Sequence, residues 1–116
     1  MAEQTTWLIH IQQAPRQGLA AALGVDATLA CGAFGQSVAL LLDKDGLELL
    51  TPGSAQPEGD RNLHKLLQSL PLYEVERIYA VTPSENVLPM GELQVEAITA
   101  EQSRSLIANS RHVISF

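Results

Sequence analysis

Few residues in this chain combine a reactive side chain with a spacing that chemistry could use. The single cysteine, Cys31, is the strongest nucleophile present, and a reactive thiol needs exposure and a nearby cation or helix N-terminus to lower its pKa. Cys31 lies instead late in an alanine-rich run, between Ala30 and Gly32, with no base close in sequence. Its expected role is that of a small buried hydrophobe, with nucleophilic catalysis at Cys31 the alternative. His10 stands inside an apolar run and is expected to be a satisfied core histidine, while His64 and His112 have no companion at metal-ligand spacing. Serines, histidines and aspartates occur, but no Gly-x-Ser-x-Gly nucleophile elbow does.

Phosphate binding fares no better. A phosphate cradle needs several glycine amides at a strand-to-helix turn, and Gln12-Gln13-Ala14-Pro15-Arg16-Gln17-Gly18 offers one glycine and one arginine. Gly32 and Gly35 stand at a helix end, where glycine serves as a terminator. A phospho-acceptor site needs acidic residues after the first strand, an acceptor Asp after a central strand and a later Lys. Asp43 and Asp45 meet only the second requirement, since the first strand ends in Gln12 and the last in Phe116. No cofactor and no metal is expected.

The elements that must position these residues follow from periodicity. Trp7 to Ile11 is a short apolar run stopped before Pro15 and predicts a first buried strand. Leu19, Leu23, Ala27, Ala30 and Phe34 fall on one helical face, which predicts a helix over 19–34. Val38 to Leu42 is apolar throughout, as a strand buried on both faces requires. Asp43 to Gly46 predicts a turn with Gly46 free to take a positive φ, and Leu47, Leu49 and Leu50 after it either tuck under the domain or meet a partner. A loop over 51–59 leads to a helix capped by Asp60 with the stripe Leu63, Leu66, Leu67 and Leu70. Arg77 to Val81 predicts a third strand, and Thr82 to Glu85 a capping box opening a helix of a turn or two before Pro89. Gln94 to Ile98 alternates like an edge strand, Thr99 with Gln102 forms a second capping box, and His112 to Phe116 closes the chain as a strand. Strands alternating with helices predict one α/β domain over residues 1–116, an open, mostly parallel sheet of about five strands with helices on both faces.

Composition sets outer bounds. The 116 residues suffice for one domain with its own core. Thirteen acidic against seven basic residues give a net charge of -6, which argues against a direct grip on nucleic acid. One cysteine rules out an intrachain disulfide and fits a reducing compartment. The segment Met1 to Thr6 lacks the basic and apolar regions of a signal peptide, and the longest apolar run is too short to cross a bilayer. A soluble cytoplasmic protein without membrane contact is expected.

Several segments, in order, resemble a known family. Gly24-Val25-Asp26-Ala27-Thr28-Leu29-Ala30-Cys31-Gly32-Ala33-Phe34 running into 36–42, then Asp45-Gly46-Leu47-Glu48-Leu49-Leu50, resembles the first helix, second strand and Asp-Gly turn of the TusC/DsrF branch of the DsrE-like sulfur-relay proteins. Leu72 to Tyr79 is similar to the strand preceding their active-site loop, and Ala108 to Phe116 to their C-terminal segment. The resemblance implies a DsrE-like fold and a subunit of a hetero-oligomer built from three related chains. Its partners would be the paralogous DsrE/TusD-like and DsrH/TusB-like subunits, with sulfur carrier proteins contacted indirectly. In that family one chain carries a persulfide-bearing cysteine, and sulfur moves toward 2-thiouridine at the tRNA wobble position or serves sulfur oxidation.

The relay cysteine implied by the resemblance sits after the third strand, where this sequence has Val81-Thr82-Pro83-Ser84 and no sulfur. The Arg-Gly pair that often follows in the family is replaced by Leu88-Pro89-Met90-Gly91. The resemblance therefore implies a non-catalytic structural subunit, most simply for tRNA thiolation. Leu47, Leu49, Leu50 and Phe116, with part of the first helix, are the expected contacts to partner chains. Two alternatives remain: a sulfurtransferase that accepts persulfide on Cys31, and a stand-alone small-ligand-binding module.

Overall fold

The computed structural model describes residues 6–14, 17–50, 63–82, 88–90 and 93–116. Its elements run β1 (Trp7–Ile11), α1 (Ala20–Ala33), β2 (Val38–Leu42), a 3-10 helix (Lys44–Leu50), α2 (Leu63–Gln68), a 3-10 turn (Leu70–Tyr73), β3 (Arg77–Val81), β4 (Leu88–Met90), β5 (Leu93–Ile98), α3 (Ala100–Asn109) and β6 (His112–Ser115). The sheet order is β4-β5-β3-β2-β1-β6. Five strands are parallel, and the short β4 is an antiparallel hairpin partner of β5.

The central strands earn their place by composition. All five residues of β2 are buried, because a strand covered on both faces must be apolar on both. One face carries Ile9, Ile11, Leu40, Leu42, Ile78 and Val95 under α1, α2 and the two 3-10 segments, with Leu49, Leu67, Leu70 and Val75 filling the layer. The other face is thinner: Leu8, Ala39, Leu41 and Ile98 meet Leu106 and Ile107 of α3. Helices thus cover both faces, and α3 starts on the expected capping box, Thr99 Oγ1 accepting from Gln102 N–H at 3.1 Å while Gln102 Oε1 accepts from Thr99 N–H at 2.8 Å.

Four local expectations need correction. The apolar stripe of α1 faces outward: Ala21, Gly24, Val25 and Thr28 are buried, whereas Leu19, Leu23 and Phe34 are 64, 55 and 82% exposed. The reason is close approach, since a Cβ on Gly24 would stand 2.7 Å from the Ile11 side chain and 3.3 Å from Phe116. Only the face of small residues lets the helix sit so near the sheet. The positive φ in the turn after β2 falls on Lys44 (51°) and not on Gly46. Leu88 to Met90 forms a strand, β4, where none was expected, and β5 is no edge strand because β4 covers its free side. Asp60 and the segments 51–59 and 83–87 lie outside the described residues.

Candidate functional site at the carboxyl ends of the strands

Five parallel strands direct their carboxyl ends to one side of the sheet, where open α/β folds bind ligands. Gln12, Asp43, Thr82, Thr99 and Phe116 follow the strands there. The loops are tied together: Gln17 Oε1 accepts from Ala14 N–H at 2.7 Å, and Gln17 Nε2 donates to Asp45 Oδ2 at 2.8 Å. Gln12 N–H donates to Phe116 O at 2.8 Å, and Phe116 N–H to His10 O at 2.7 Å. Thr82 N–H donates to Ile98 O at 3.0 Å; Pro83, Ser84, Glu85, Pro15 and Arg16 lie outside the described residues.

One group of side chains here was not anticipated. Parallel register places His10 of β1 opposite Ser115 of β6 on one side and Leu41 of β2 on the other, so Asp43, two residues past Leu41, shares their face. His10 Nε2 lies 3.3 Å from Asp43 Oδ2, and Ser115 Oγ 3.4 Å from His10 Nδ1. A carboxylate only accepts, so Nε2 carries the proton and donates to Asp43; in the neutral ring Nδ1 then accepts from the Ser115 hydroxyl. Asp43 is held in turn, its Oδ1 accepting from Lys44 N–H at 2.8 Å. His10 is 8% exposed and buried as expected of a core histidine, while Ser115 is exposed. The only sequence-level signal was a histidine in an otherwise apolar strand.

Cys31 lies elsewhere. With Trp7, Ala30, Phe34 and Gln36 it lines a concavity of about 410 Å³ at the amino end of β1 and β2. Burial pushes its thiol pKa up, away from the thiolate. Among the described residues no three His, Cys, Asp or Glu side chains gather as a metal site, and no described helix is long and apolar enough to cross a membrane. Of the expected contact residues, Leu49 is fully buried by its own chain; Leu47, Leu50 and Phe116 pack on the core with part of their surface left.

Comparison with known proteins follows the same outline. The sequence profile of the DsrE/DsrF-like family matches residues 7–116. The chain belongs to the DsrE/DsrF-like family. A relative within reach of this DsrE/DsrF-like chain is the Protein TusC homolog of Pseudomonas aeruginosa, 31% identical over 113 residues, covering 93% of this chain and 95% of the relative. The crystal structure of the YchN protein from E. coli superposes with a TM-score of 0.73 over 97% of this chain and 99% of that one, at 15% identity. It shares the fold.

Proposed function

We propose that this chain is a structural subunit of a hetero-oligomeric sulfur-relay complex, a cytoplasmic assembly serving 2-thiolation of the tRNA wobble uridine, in which other chains carry the sulfur. The observation that carries this reading is the position of the lone thiol. Cys31 stands at the amino end of the sheet, opposite the strand ends where the fold gathers its loops, and burial disfavours its thiolate. Family membership and the TusC homolog relative support a sulfur-relay setting. The net charge of -6 fits contact with tRNA through protein carriers. Leu47, Leu50 and Phe116, together with the outward stripe of α1, supply the apolar surface for DsrE/TusD-like and DsrH/TusB-like partners.

Co-expression with a cysteine-bearing DsrE/TusD-like chain and a DsrH/TusB-like chain tests the reading. The expected result is one co-eluting complex whose sulfur transfer is unchanged by Cys31→Ser. Two results would overturn it: a chain that stays monomeric beside both partners, or a mass gain of one sulfur on Cys31 from a persulfide donor with transfer lost in Cys31→Ser.

A further inference from the structure

Ser115, His10 and Asp43 come from three neighbouring strands and form one hydrogen-bonded row. Their roles are set by position. Ser115 is the solvent-facing end, His10 is the buried middle, and Asp43 is fixed at the far end by the Lys44 amide. A hydroxyl becomes a useful nucleophile when a base stands within hydrogen-bond reach and a third group orients that base, with distances often looser before a ligand binds. The location is also the reversal point of the topology: β2 follows β1 through α1 on one face, and β6 is reached through α3 on the other. Clefts at such points are where open parallel sheets take small ligands.

We infer that Ser115 is an activated nucleophile that takes the acyl group of a small carboxylic ester, with His10 as its base and Asp43 as a positioning residue. Ser115 Oγ attacks the ester carbonyl carbon, and its proton passes to His10 Nδ1 while Nε2–H stays on Asp43. The bond to the leaving alkoxide or phenoxide then breaks, giving acyl-Ser115 and the free anion, and imidazolium beside the Asp43 carboxylate returns its proton to solvent. No oxidant or reductant is involved. The amide adjoining Ser115, Phe116 N–H, is already spent on His10 O, so it gives no support to the tetrahedral oxyanion. Both acylation and hydrolysis of the acyl-serine are slowed by this, but an ester with a good leaving group such as p-nitrophenoxide acylates faster than the poorly leaving serine alkoxide is released to water, so the acyl-serine accumulates.

The full chain incubated with p-nitrophenyl acetate provides the test. A burst of p-nitrophenolate, about one per chain, and an acetyl group on Ser115 in peptide mass maps are expected, both abolished by Ser115→Ala. His10→Gln slows Ser115 acetylation about a hundredfold, and Asp43→Asn slows it less while altering its pH dependence. Acetyl groups only on lysines, Cys31 or the amino terminus would overturn the inference, as would Ser115 acetylation unchanged in His10→Gln. Should His10→Gln fail to fold, the wild-type pH profile decides. A rate that levels off once one group has lost its proton supports His10 as base, and a rate that climbs without plateau refutes it.

Discussion

A methyl group on Gly46 would overlap the carbonyl oxygen of Ile11. That oxygen also accepts from Asp43 N–H at 3.0 Å, so neither partner is free to retreat. Gly46→Ala should therefore cost about 2–3 kcal/mol, the range of an overpacked site, read as a lower urea midpoint with unchanged slope. The sequence marks Gly46 as special but misassigns the cause, because a turn glycine most often supplies a positive φ, and here Lys44 does so. The His10 row was illegible for a different reason. His10 and Ser115 are 105 positions apart and Asp43 is 33 from His10, so only strand order and register bring them together. Periodicity along the chain carries neither.

At the scale of elements, β2 and α3 were readable because each has one strong signal, an unbroken apolar run and a complete capping box. α1 was not. Apolar residues lie all round it, so the larger Leu and Phe stripe attracted the assignment while the small-residue stripe made the contact. Two substitutions separate the faces. Val25→Ala, on the sheet side, should cost about 2 kcal/mol; Leu23→Glu, on the outer side, should leave urea stability of the lone chain within about 0.5 kcal/mol. The same Leu23→Glu should weaken co-elution with the partner chains, because the outer stripe of Leu19, Leu23 and Phe34 runs for about 20 Å along the helix and is left largely exposed by the described residues.

The whole molecule has an alkaline limit set by two half-buried acids. Burial raises the pKa of Tyr79, with Arg77 pulling it partly back and Glu96 adding to the rise, and burial alone raises that of Cys31. Their protonated forms are neutral, so the unfolded chain releases these protons at lower pH than the folded one. Stability is fully present below the unfolded values and is lost as pH climbs through the alkaline range. Urea midpoints should fall from about pH 9 upward, and Tyr79→Phe should flatten the fall. The fold class was legible at this scale because alternation of strands and helices constrains it, whereas the position of β4 was not, as three residues carry no period. The pairing of β1 with β6 reaches beyond stability to biosynthesis. β1 is made about a hundred residues before its partner β6, so one of its hydrogen-bonding edges stays unmatched until residues 112–116 emerge, with Trp7 waiting for His112 to stack on it at 4.5 Å. The nascent chain thus carries a bare, apolar strand edge while all the residues between β1 and β6 are made, and this sheet can close only after β6 has followed.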